Sequence, residues 1–148
     1  MEEKIKIMIV DDHEVYREGL KTALNNVKNF EVVAEASNGM EFLEMIPKIE
    51  ADVVLMDIKM PVVSGLEATR IALENKPDLN IITLSMYNED EYVKQMKEVG
   101  ARGYVLKGTN KNELVKIIYS VTTGKRLYPV DFSKNKYNEL SNHTDIHQ

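Results

Sequence analysis

Short apolar runs alternate with longer segments of helical spacing along most of the chain, and the alternation repeats five times. The runs Ile5 to Val10, Glu31 to Ala36, Val53 to Asp57, Ile81 to Ser85 and Gly103 to Leu106 are predicted strands. Several are too continuously apolar to have a wet face, which fits parallel strands covered on both sides by helices. Between them, Tyr16, Leu20, Ala23, Leu24 and Val27 fall on one helical stripe, and Phe42, Leu43, Ile46 and Ile49 on a second. After the last strand, Leu114, Ile117, Ile118 and Val121 repeat the same spacing. The stretch from Glu89 to Val99 is weaker, with Tyr92, Val93, Met96 and Val99 set among charged residues, and predicts a loosely anchored helix. Strands alternating with helices in this way define an α/β domain built on a parallel sheet.

The punctuation agrees. Asn38-Gly39 separates the second strand from its helix, Pro77-Asp78 ends the third helix, and Gly100 and Gly124 stand where helix C-termini are wanted. From Tyr128 onward the periodicity fades into Ser, Asn, His and Lys. The compact domain is therefore expected over residues 1–127, with 128–148 a poorly ordered linker or tail. Tyr128, Phe132 and Tyr137 are the tail's candidate anchors, on the domain itself or on a partner. His143 and His147 have zinc-like spacing only on a helix, and a solvated tail is the reading preferred for them.

Composition narrows the function classes. The chain has 148 residues, enough for one domain, and 43% are apolar. A net charge of −5 argues against a free-standing nucleic-acid binder, which needs a basic face. The absence of Cys excludes disulfides, thiolate metal sites and a thiol nucleophile. No apolar run approaches a membrane span, and the N-terminus is not built like a signal peptide, so a cytoplasmic domain without a membrane partner is expected.

The candidate chemistry lies at the strand ends. The first strand ends in Asp11-Asp12, the third in Asp57 and the fourth in Ser85, and Lys107 follows the fifth. Each alone reads as a cap or turn former. In a parallel sheet, however, all of them gather at one edge, where such folds bind ligands. Three carboxylates at close quarters repel one another, and oxygen-only donors at that density suit Mg²⁺ or Mn²⁺. A metal beside Lys107 would oppose an anionic transferred group, and phosphoryl fits best. Asp57, in the middle of the sheet, is then the candidate nucleophile.

At this point the motifs themselves carry a resemblance. Ile9-Val10-Asp11-Asp12-His13, Leu55-Met56-Asp57-Ile58-Lys59-Met60-Pro61 with Gly65, Leu84-Ser85-Met86, and Gly103-Tyr104-Val105-Leu106-Lys107 resemble the receiver domain of two-component response regulators, in order and at the expected spacing. The resemblance implies a flavodoxin-like (βα)5 doubly wound sheet of strand order 2-1-3-4-5. It implies Asp57 as phosphoacceptor, Asp12 as a direct Mg²⁺ ligand, Asp11 as a ligand through water, and the Lys59 backbone carbonyl completing the protein's share of the metal shell. Lys107 and Ser85 would contact the phosphoryl oxygens, and Tyr104 would move inward when Ser85 is drawn to them. Lys59 and Tyr87 occupy positions that tune phosphoryl lifetime in the family, and their bulk predicts slow hydrolysis. One departure is Gly108, where many receivers place Pro. His13 is read as an exposed helix-entry residue in preference to a metal ligand.

The implied phosphodonor is a sensor histidine kinase, and the implied role is a phosphoaccepting signalling domain that is not a turnover enzyme. The wording around the strand ends resembles the subfamily, of LuxR, NarL and FixJ type, whose receivers precede a helix-turn-helix DNA-binding domain. Transcriptional output through a domain absent from this chain is therefore the favoured reading, with a stand-alone receiver acting by protein contact as the alternative. Homodimerisation through the first and last helices comes from the same resemblance. Two other classes are weighed and disfavoured. An aspartyl-phosphate hydrolase would want a second Asp two residues after the nucleophile, where this chain has Lys59. A flavin-phosphate binder would want Gly, Ser or Thr where this chain has Asp11-Asp12.

Overall fold

The computed structural model describes residues 3–87, 89–131 and 136–139. Its strands are β1 (Ile5–Val10), β2 (Phe30–Ala36), β3 (Val53–Met56), β4 (Asn80–Ser85), β5 (Gly103–Leu106), β6 (Leu127–Asp131) and β7 (Lys136–Glu139). The helices are α1 (Glu14–Asn25), α2 (Gly39–Met45), α3 (Gly65–Asn75), α4 (Asp90–Glu98) and α5 (Lys111–Thr122). The five predicted strands and the order 2-1-3-4-5 are present, all parallel. The sheet then continues beyond the five expected strands. β6 joins β5 in parallel through Gly103 and Leu127, and β7 returns antiparallel to β6. The first part of the segment expected as a tail thus adds to the sheet, while Phe132, His143 and His147 lie outside the described residues.

Alternation along the strands explains why the inner strands β3 and β4 have no wet face. Ile7, Ile9, Leu55, Leu84 and Val105 point into one core with Leu24 of α1 and Leu114, Ile117, Ile118 and Val121 of α5. Met8, Val10, Val54, Met56 and Ile81 point the opposite way, onto Phe42 of α2 and Ala68 and Ala72 of α3. A third, smaller cluster joins Ile58, Met96, Ala101, Tyr104 and Tyr128 beneath α4. Met96 is the one residue of α4 that is fully buried, as its weak periodicity predicts.

Caps fix several helix starts. The side chains of Asn38, Ser64 and Asn110 each accept a hydrogen bond from the backbone N–H of a glutamate three residues on. Gly100 ends α4 at a φ of 108°, a conformation a side chain resists. Gly65 is required for a different reason. A Cβ there would fall 1.8 Å from the Asp57 carbonyl oxygen, so only Gly lets α3 start against the end of β3. Val62, in the loop leading to α3, holds a φ of 72°, which is costly for a β-branched residue.

Candidate functional site

Strand register brings the reactive groups together. Val10 pairs with Met56, so the next residues, Asp11 and Asp57, leave the sheet side by side. The Asp57 N–H donates to the Val10 carbonyl at 3.0 Å. Ser85 pairs with Leu106, and the Lys107 N–H donates to the Ser85 carbonyl at 2.8 Å, which carries Lys107 to the same edge. Asp12 and His13 enter α1 directly above, with His13 as its exposed N-cap residue.

The distances are those of one cluster. Lys107 Nζ lies 2.7 Å from Asp11 Oδ2 and 3.6 Å from Asp57 Oδ2. All three side chains are nearly inaccessible, with 8% of Lys107 and 2% of Asp11 exposed. Asp11 Oδ1 accepts from the His13 N–H at 2.8 Å, and His13 Nδ1 sits 3.1 Å from Asp11 and 3.3 Å from Asp12. Oxygen or nitrogen atoms of Asp11, Asp12, His13 and Asp57 all fall within 4.8 Å of one another. His13 is thus the exposed helix-entry residue that the sequence predicts, and it also lies beside the acidic group.

Asp57 holds the most constrained carboxylate. Its Oδ1 accepts from the Ile58 N–H at 2.9 Å, while its buried Oδ2 has no hydrogen-bond partner. Its pKa is raised to about 6, chiefly by burial and further by the charges of Asp11 and Asp12, with Lys107 opposing. A buried carboxylate oxygen that lacks a hydrogen bond and faces two further carboxylates is what a hard divalent cation neutralises, so these residues fit Mg²⁺.

Ser85 and Tyr104 are linked through the β4–α4 loop. Ser85 Oγ accepts from the Tyr87 N–H at 2.9 Å, and the Tyr104 hydroxyl donates to the Tyr87 carbonyl at 2.7 Å. Tyr104 is fully buried. Burial pushes its phenol up to about 12, with the Ser85 hydroxyl opposing.

Three neighbours were not singled out for the site from the sequence. Lys59 Nζ lies 4.5 Å from the ring centre of Tyr87 and 5.2 Å from that of Tyr92, so the two lifetime candidates are joined by a residue of α4. Arg17 donates to the Asp11 carbonyl at 2.5 Å and to Glu35 at 3.1 Å, bracing the acidic loop against β2. Tyr16, read as a core position, has its ring 4.6 Å from Lys107 Nζ. Burial, helped by Asp11 and Asp57, pushes the Tyr16 phenol up to about 12. The available signal was position: Tyr16 and Arg17 occupy the first turn after the acidic pair, and Tyr92 the first turn of α4.

A doubly wound α/β domain with an acidic pocket at its carboxyl edge and a buried lysine across from it defines a class of signalling domain, and the comparisons agree. Residues 7–119 match the family described as the response regulator receiver domain. The chain is 41% identical to the transcriptional regulatory protein DegU of Brevibacillus brevis, over 83% of this chain and 52% of DegU. It is 38% identical to the response regulator GacA of Pseudomonas aeruginosa, over 82% of this chain and 57% of GacA. A LuxR-family two-component response regulator from an Aurantimonas species superposes with a TM-score of 0.83 at 31% identity, covering 89% of this chain and 94% of that one. The chain belongs to the response regulator receiver family, with relatives of LuxR and NarL type. It spans about half the length of the curated relatives it matches. Among the described residues no helix is long and apolar enough to cross a membrane.

Proposed function

We propose that this domain accepts a phosphoryl group on Asp57 from the phosphohistidine of a sensor kinase, and that the modified domain controls transcription through a DNA-binding domain beyond this chain. The observation that carries the reading is the buried Asp57 Oδ2, without a hydrogen bond, lying 3.6 Å from Lys107 Nζ and within a group of acids. In the transfer, Asp57 Oδ2 forms the new O–P bond in line with the bond that breaks, and the donor nitrogen leaves with that electron pair. Asp12, Asp57 and the Lys59 carbonyl would hold Mg²⁺ or Mn²⁺ directly, and Asp11 through water. The cation supplies charge neutralisation that carboxylates alone cannot give the incoming phosphoryl group.

The remaining work belongs to the protein. Lys107, held between Asp11 and Asp57, is placed to pair with a phosphoryl oxygen. Ser85 can reach another by giving up the Tyr87 N–H, which loosens the loop that Tyr104 also holds. Phosphoryl charge at Asp57 thereby biases the β4–α4 loop and α4 between two arrangements. The names of DegU, a transcriptional regulatory protein, and of GacA, a response regulator, support transcriptional output.

The test is incubation with acetyl phosphate and Mg²⁺, followed by intact mass measurement. The expected result is one added phosphoryl mass on the wild type and none on Asp57→Ala or with excess chelator. A wild-type protein that stays unlabelled while folded refutes the reading.

A further inference from the structure

Lys107 has to be held as well as present. Its ammonium sits at the end of a flexible four-carbon stem, largely withdrawn from water, and has to stay aimed at the acceptor carboxylate while charge on that carboxylate changes. Two carboxylates pull on it, Asp11 at 2.7 Å and Asp57 at 3.6 Å. The Tyr16 ring centre lies 4.6 Å away as a third contact. Beside these groups opens a cleft of about 530 Å³ lined by Tyr16, Ser85, Met86, Leu106, Lys107 and Thr109 among others. Without the ring, water from this cleft would reach the ammonium, and the stem would have room to swing into it.

We infer that Tyr16 is a positioning residue, whose ring face desolvates the Lys107 ammonium and keeps it aimed at the phosphoryl group arriving on Asp57. A ring face suits this task better than a third carboxylate. It attracts the cation without adding negative charge that would repel the phosphoryl group, and it is broad enough to let the ammonium pivot from Asp11 toward a phosphoryl oxygen. Tyr16 is presented from the first turn of α1, a rigid element anchored in the core through Leu24.

The inference rests on the phosphoacceptor reading, and the test separates the two. The full chain is labelled with acetyl phosphate at saturating Mg²⁺, and the maximal labelling rate and the half-saturating donor concentration are measured for wild type, Tyr16→Phe, Tyr16→Leu and Tyr16→Met. Each change is repeated in a Lys107→Gln background, and urea unfolding checks that every variant is folded. Leu and Met should lower the maximal rate by about tenfold, with Phe rescuing it to within about twofold of wild type, and neither loss should appear once Lys107 is replaced. Tyr16→Met keeps the test decisive if Tyr16→Leu does not fold. An unlabelled wild type overturns the phosphoacceptor reading itself. A labelled wild type matched by Leu and Met overturns the role of Tyr16, as does a loss that persists without Lys107 or a Phe variant as slow as Leu.

Discussion

Asp57 illustrates how one buried oxygen sets both chemistry and stability. Its folded-state pKa of about 6 lies above the ordinary value of about 3.9, so the fold favours the protonated form. The stability linked to this group is fully present below the unfolded-state pKa and is lost as pH rises through the folded one. A shift of this size corresponds to about 2–3 kcal/mol. In chelator, the wild type should therefore match Asp57→Asn near pH 4 and fall behind it by about that amount at pH 7, measured by urea unfolding across pH. A difference that does not change with pH would show that the carboxylate charge is not the cause. Lys59 and Tyr87 are argued from the same geometry. With Tyr92 they form a cation and two rings at the β3–α3 and β4–α4 loops. Replacing both Lys59 and Tyr87 with Ala should make the phosphorylated protein decay severalfold faster, followed by loss of the added mass with time. An unchanged decay rate would remove these residues as a barrier to water.

The helices differ in how firmly they are held. α5 buries Leu114, Ile117, Ile118 and Val121 in the larger core, whereas α4 buries Met96 and leaves Tyr92 and Val93 half-covered. Backbone amides of Asp90–Glu98 should therefore exchange with deuterium well before those of Lys111–Thr122, read by mass spectrometry of peptides. Equal protection of the two helices would contradict the proposal that α4 is the mobile element. The same contrast was visible in the chain's periodicity, because an apolar stripe records burial by a neighbouring layer. β1 to β5 and the gathering of Asp11, Asp57, Ser85 and Lys107 were legible for a related reason, since strand ends in a parallel sheet share one edge. The contacts of Tyr16 and Tyr92 were not legible. Both rings pack against core clusters as their helical spacing implies, and the same spacing carries no sign of the cation that each also meets. β6 escaped notice because Leu127–Asp131 contains Pro129 and joins the sheet by one short parallel pairing, a pattern with little periodicity of its own.

At the scale of the whole molecule, β6 pairs with the start of the outer edge of β5, and it brings Tyr128 into the cluster beneath α4. Tyr128 is 5% exposed, and its hydroxyl donates to the Ala101 carbonyl at 2.5 Å. Its ring packs in the same cluster as Met96 of α4 and Tyr104 of β5, the residues through which the proposed switching would pass. The extension thus packs against the elements that the proposed switching would move. Tyr128→Ala should cost about 3 kcal/mol or more in urea unfolding, because it empties a ring-sized space. Tyr128→Phe should cost about 1 kcal/mol, the loss of one hydrogen bond to a buried carbonyl. The Ala variant should also expose α4 amides to faster exchange while leaving α5 at its protection relative to global unfolding. A Tyr128→Ala protein as stable as wild type would mean that β6 rests on the sheet without supporting it. One destabilised evenly across α4 and α5 would mean that the extension holds the core in general and has no particular hold on α4.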